Sequence, residues 1–63
     1  MRELNFDHNG RTYRLEIDDY GDSESSDTLT VYDPGDREVS SFDSTAHTDA
    51  ARIAEARREI EGL

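Results

Sequence analysis

The chain has 63 residues, of which 37% are charged and only 32% hydrophobic, and its formal net charge is -9. Its seven basic residues are all arginines, and it contains no cysteine. So short a chain allows one domain, 1–63, with a small core, and the lack of cysteine excludes a disulfide framework and a thiolate metal site.

The acidic, lysine-free composition indicates concentrated salt as the natural medium. Carboxylates hold water and hydrated cations, whereas the long alkyl stem of lysine promotes aggregation in brine. At about 1 M salt the screening length is roughly 3 Å, so the repulsion among the excess carboxylates largely disappears. Because the N-terminal residues alternate without a long apolar run, we expect no signal peptide and no membrane span, and we expect a cytoplasmic location.

The first predicted element is a β-hairpin. Polar and apolar residues alternate over 2–8, Asn9-Gly10 is a strong signal for a two-residue turn, and a second strand follows over about 11–19. The apolar residues on one side of these two strands are Leu4, Phe6, Tyr13, Leu15 and Ile17. The polar stretch 20–27 predicts a solvated loop.

A second hairpin is predicted over 28–43. Its strands cover 28–32 and about 37–43, and the turn 33–36 contains Pro34 to fix φ and Gly35 to supply a positive φ. Leu29 and Val31 face the core in the first of these strands. In the other strand Val39 and Phe42 have opposite parity, so both face one core only if the strand has a bulge or ends early.

The sequence pattern changes to a helical period from Thr48 onward. Thr48 is a suitable N-cap, and Gly62 is placed to end the helix. Its predicted apolar stripe comprises Ala50, Ile53, Ala54, Ala56, Ile60 and Leu63, with Arg52 on the solvent side. The sequence thus predicts an α+β fold, ββββα, in which two hairpins form a four-stranded antiparallel sheet and one C-terminal helix packs on one face.

No motif in the sequence carries catalytic or metal-binding chemistry. Residues 18–27 hold five carboxylates, but they lack the spacing of a calcium loop, so we interpret them as a hydrated acidic loop. For His8 and His47 we expect surface or capping roles. We expect no catalytic residue, no cofactor and no metal, and therefore a protein that is not an enzyme.

The sheet face that one helix leaves uncovered is the candidate interaction site. It displays Thr12, Arg14, Thr28, Thr30 and Tyr32, with Phe42 as a further candidate. One interpretation is a solvated face with cross-strand polar pairs; the other is a face that binds a protein partner or a second copy of the chain, since aromatic residues and arginine are enriched in interfaces. The alternative function is a nucleic-acid-binding regulator that uses these arginines and tyrosines, which the net charge disfavours.

Two stretches carry a resemblance. Residues 31–39, Val-Tyr-Asp-Pro-Gly-Asp-Arg-Glu-Val, and the helical segment 50–60 resemble small acidic haloarchaeal proteins of a family of unknown function. That resemblance implies a halophilic cytoplasmic protein and assigns no functional residue. A sheet followed by a helix is also similar to the plan of AP2-type DNA-binding domains, whose sheet reads the major groove.

Overall fold

The computed structural model describes residues 2–18 and 27–63. This part of the chain forms β1 (Arg2–His8), β2 (Arg11–Asp18), β3 (Asp27–Tyr32), β4 (Glu38–Ser44) and α1 (Asp49–Glu61). The strands make one antiparallel sheet in the order β1-β2-β3-β4, so each strand pairs with its neighbour in the sequence. The predicted α+β fold is confirmed.

The β1–β2 hairpin turns at Asn9 and Gly10, as predicted. Both residues have positive φ, 53° and 77°, which is the geometry of a type I′ turn. The turn sets a register in which Leu4 lies opposite Leu15 and Phe6 opposite Tyr13. The apolar residues of the two strands therefore share one face.

The β3–β4 turn lies where the sequence predicts it, but its backbone differs in one respect. The Asp36 N–H donates to the Asp33 carbonyl over 2.9 Å, and the Asp33 N–H donates to the Arg37 carbonyl over 2.9 Å. The residue with positive φ is Asp36, at 66°, and not Gly35 as predicted. Aspartate enters this left-handed region more readily than most residues other than glycine because its side chain is short and polar.

The boundary between the predicted loop and β3 also differs. Asp27, predicted as a loop residue, begins β3, and its carboxylate lies 3.6 Å from the guanidinium of Arg52. Apart from Asp18 and Asp27, the acidic segment considered for cation binding lies outside the described residues.

The core lies between α1 and one face of the sheet, which we call the inner face. It comprises Phe6, Tyr13, Leu15, Ile17, Leu29, Val31 and Ala56. Full burial of an aliphatic side chain contributes about 1.5–3 kcal/mol, so Leu15, Ile17, Leu29 and Val31, which are completely enclosed, stabilise the sheet most. Leu4, Val39, Phe42, Ile53 and Ile60 are partly buried around this core.

A β-bulge resolves the parity conflict in β4. Phe42 pairs with Leu29 and Ser40 with Val31, but Glu38 pairs with Tyr32, so Val39 is the extra residue at a register shift. Because of that shift, Val39 and Phe42 both pack against the core.

Helix α1 begins and ends at the predicted residues. Thr48 has extended backbone angles, and its Oγ1 accepts a hydrogen bond from the Ala51 N–H over 3.1 Å. At the other end the Gly62 N–H donates to the Arg58 carbonyl over 3.0 Å.

The face that α1 buries is only partly the predicted one. Ala56 is buried and Ile53 and Ile60 are half-buried, as predicted, whereas Ala50, Ala54 and Leu63 are exposed. The Arg52 side chain, predicted to face solvent, is only 12% exposed. In this orientation of the helix the Arg52 guanidinium contacts Asp27 on β3 and Asp49 in the first turn of α1.

Candidate interaction face

The sheet face opposite α1, which we call the outer face, is strongly acidic. The strand register places thirteen residues on it: Glu3, Asn5, Asp7, Thr12, Arg14, Glu16, Asp18, Thr28, Thr30, Tyr32, Glu38, Ser41 and Asp43. Six of these carry carboxylates and one carries a guanidinium. Each strand supplies its outward-pointing residues at every second position, except at the bulge in β4, so this concentration of negative charge follows from the strand pattern.

Arg14 lies at the centre of this face and contacts carboxylates from three directions. Its guanidinium lies 2.7 Å from Asp36 at the β3–β4 turn, 3.5 Å from Glu16 on the same strand and 3.9 Å from Glu3 on β1. The guanidinium carbon also lies 4.3 Å from the centre of the Tyr32 ring on β3, a cation–π contact. Arg14 thus links three strands and a turn.

Tyr32 is half-buried beside Arg14, and its surroundings oppose ionisation of the phenol. Burial is the largest influence and raises the pKa of Tyr32 above its ordinary value of 10.0. The nearby charges of Glu16 and Glu38 raise it further, whereas the charge of Arg14 lowers it. The phenol therefore remains a neutral hydrogen-bonding group over the physiological pH range.

Polar contacts connect the hydroxyl groups of the outer face. The Thr12 hydroxyl donates to Asp7 over 2.8 Å, and Thr28 donates to Asp43 over 3.4 Å. The Thr30 and Ser41 hydroxyls lie 3.4 Å apart. These pairs satisfy part of the polar surface between strands.

Five of the six residues predicted for this face do lie together on it: Thr12, Arg14, Thr28, Thr30 and Tyr32. Phe42 does not, and its assignment to this face is wrong. It pairs with Leu29 and packs against the core on the inner face, because the bulge at Val39 gives Phe42 the same side as the buried residues of β3.

The carboxylates that surround Arg14 were not predicted as part of the site. Glu3, Glu16 and Glu38 lie on the same sheet face as Arg14 and Tyr32. For Glu3 and Glu16, strand parity alone is sufficient to predict this position. Glu38 required knowledge of the bulge. Asp36 required knowledge of the turn, since it reaches Arg14 from outside the strands.

An open groove adjoins one end of the outer face. It has a volume of about 450 Å³ and lies between the two hairpin turns, where Gly10, Arg11, Thr12, Asp33, Pro34 and Gly35 line it. Being open, it offers no enclosed space from which water is excluded. It extends the accessible surface next to Thr12.

On the inner side, charged groups are engaged within the fold. Arg52 contacts Asp49 and Asp27, and the Ser44 hydroxyl donates to Glu55 over 2.6 Å.

His8, expected at the surface, has a side chain only 9% exposed, with its Nε2 lying 3.9 Å from Glu61 at the end of α1. The reason is that His8 shares the inner parity of Leu4 and Phe6.

Within 2–18 and 27–63, no group of three or more histidine, aspartate or glutamate side chains is arranged to hold a metal ion. None of the described helices is both long enough and apolar enough to cross a membrane.

Comparison of the chain with models of protein families, with curated proteins and with solved structures gave no match.

Proposed function

We propose that this protein is a non-enzymatic interaction module that binds a protein partner through its outer face. The observation that carries the proposal is the contact between Arg14 and Tyr32 at the centre of a sheet face that no other described element covers. Arginine and tyrosine dominate the energetic centres of protein interfaces, and a ring of polar residues around them excludes water when a partner binds.

The size of the chain supports an interaction role. Among the described residues the core contains seven buried hydrophobic side chains, so association adds stability that the small interior supplies only in part. We also propose, from composition alone, that the protein works in a salt-loaded cytoplasm.

The alternative of nucleic-acid binding receives less support from the same geometry. A phosphate that approaches Arg14 meets the carboxylates of Glu3, Glu16 and Asp36, which already contact the guanidinium. Phosphate neutralisation dominates affinity for nucleic acids, and these carboxylates oppose it. We therefore propose a protein partner and not a nucleic acid.

Site-specific crosslinking tests the proposal. A photoreactive phenylalanine analogue replaces Thr30 on the outer face or, as the matched control, Ala51 on the exposed side of α1. We expect a discrete crosslinked protein in native cells for Thr30 only, and binding of that purified protein to be lost in the Tyr32→Asp variant. Equal crosslinking from both positions, or binding that is unchanged by Tyr32→Asp, would overturn the proposal.

A further inference from the structure

The chemistry of the partner is indicated by an electrostatic conflict on the outer face. Glu3 and Glu16 lie directly opposite each other on β1 and β2, an arrangement of like charges that destabilises a sheet. Within the described residues, Arg14 is the one cation that contacts them, at 3.9 and 3.5 Å. Unfavourable local arrangements such as this pair of like charges are expected at functional sites.

Arg14 does not balance the charge around it. Arg14 is shared among Glu3, Glu16 and Asp36, while the Glu38 carboxylate, beside Tyr32, forms no ion pair or hydrogen bond with another described side chain. A second cation at this position would therefore meet unneutralised carboxylates beside a half-buried aromatic ring.

We propose that the partner presents arginine side chains to the outer face, an inference that rests on the proposed function. A planar guanidinium contacts a carboxylate through two hydrogen bonds and stacks on an aromatic ring, whereas a lysine ammonium does neither as well. At molar salt only contacts within a few ångströms retain their electrostatic attraction, so arginine's short-range geometry matters more than long-range steering.

The same charges argue against two other occupants. A second copy of the chain docked face to face would bring two carboxylate-rich surfaces together, and like charges across an interface oppose binding. A nucleic acid would bring phosphates to the same surface. Both remain as outcomes that the experiment can detect.

The experiment uses the full chain, labelled with ¹⁵N, in about 1 M NaCl, where the screening length is roughly 3 Å. It is titrated with an octapeptide of alternating glycine and arginine, and with matched peptides in which lysine or citrulline replaces arginine. We expect shifts at Thr30, Tyr32 and Ser41, with the arginine peptide binding most tightly.

Glu38→Gln and Glu61→Gln each remove one negative charge, so comparing them distinguishes binding at the outer face from general electrostatic attraction to the protein. Glu38→Gln should weaken binding of the arginine peptide by about threefold, the effect of losing one exposed ion pair, whereas Glu61→Gln at the end of α1 should leave it unchanged. Tyr32→Leu, which keeps apolar bulk without the ring, should reduce the preference for arginine over lysine.

Several outcomes would overturn the inference: equal binding of the arginine and lysine peptides, equal effects of Glu38→Gln and Glu61→Gln, tighter binding of an oligonucleotide, or concentration-dependent self-association in sedimentation. If one of these occurs while Thr30 still crosslinks to a protein partner, the partner chemistry is wrong and the interaction role stands. If the crosslink also fails, both proposals fall.

Discussion

At the scale of single residues, Tyr32 is a reporter of the charges on the outer face. Burial, Glu16 and Glu38 raise the pKa of its phenol above 10.0, and Arg14 lowers it. Arg14→Met should therefore raise the pKa of Tyr32 further, and Glu38→Gln should lower it. Because the folded pKa lies above the unfolded value, the contribution of Tyr32 to stability is present below about pH 10 and is lost as the pH rises through the folded pKa.

The measurement is an NMR titration of the tyrosine ring carbons, with Tyr13 as the internal control. If the pKa of Tyr32 changed in the same direction in Arg14→Met and Glu38→Gln, the effects assigned to these two charges would be wrong.

Ala56 tests which side of α1 faces the sheet. It is fully buried, whereas Ala54 is exposed. Leucine at position 56 would overpack the core and should lower the free energy of unfolding by about 1–3 kcal/mol. Leucine at position 54 should change it by less than about 0.5 kcal/mol.

Chemical denaturation of both variants in molar salt measures the difference. If Ala54→Leu proved the more destabilising of the two, the orientation of the helix described above would be incorrect.

At the scale of elements, the N-terminus of α1 is joined to β1 by an ion pair. Asp49 accepts a hydrogen bond from Arg2 over 2.9 Å, and Arg52 contacts the same carboxylate over 2.9 Å. The hydrogen bond from Arg2 is the largest influence and holds the pKa of Asp49 below its ordinary value of 3.8, and the charges of Arg2 and Arg52 add to it.

This arrangement predicts a loss of stability in acid. Because the folded pKa of Asp49 lies below the unfolded value, its contribution is full above about pH 4 and is lost as the pH falls through the folded pKa. Arg2→Met should raise the pKa of Asp49, and Arg58→Met, in the last turn of the same helix, should not. NMR titration of the Asp49 carboxyl carbon is the measurement. An unchanged pKa of Asp49 in Arg2→Met would refute the ion pair between Arg2 and Asp49.

The elements themselves were predictable from local patterns to different degrees. Alternation and Asn9-Gly10 sufficed for the first hairpin because both signals are local in the sequence. The parity of Val39 and Phe42 allows a bulge or an early end of the strand, and only the pairing of β4 with β3 distinguishes the two. The rotation of α1 was not predictable, because alanines on several sides of the helix leave its apolar stripe ambiguous and the contact of Arg52 with Asp27 is tertiary.

At the scale of the whole molecule, much of the negative charge lies on one side. The outer face carries six carboxylates and one arginine, whereas the described charges between α1 and the sheet are largely paired. Five of the six residues predicted for this face could be placed on it from strand parity. Strand parity alone is enough to place Glu3 and Glu16 near Arg14, whereas Glu38 depends on the bulge and Asp36 on the turn, which local patterns do not specify.

This distribution predicts that stability increases with salt. Carboxylates on the outer face repel over about 10 Å at 0.1 M salt and over roughly 3 Å at 1 M. The melting temperature should therefore rise between these concentrations, and Glu16→Gln should reduce the rise because it removes one of two opposed carboxylates. Glu61→Gln is the control.

Circular dichroism at several NaCl concentrations measures the effect. A melting temperature that is independent of salt would contradict the role assigned to this repulsion.

The pairing of each strand with its sequence neighbour also determines how the chain reaches its native state. Every strand contact closes a short segment: the two hairpin turns, and the connection from Asp18 to Asp27. Closing a short loop costs little conformational entropy, and topologies dominated by pairing between sequence neighbours fold rapidly. The sheet can thus assemble strand by strand before its exposed edges meet other chains.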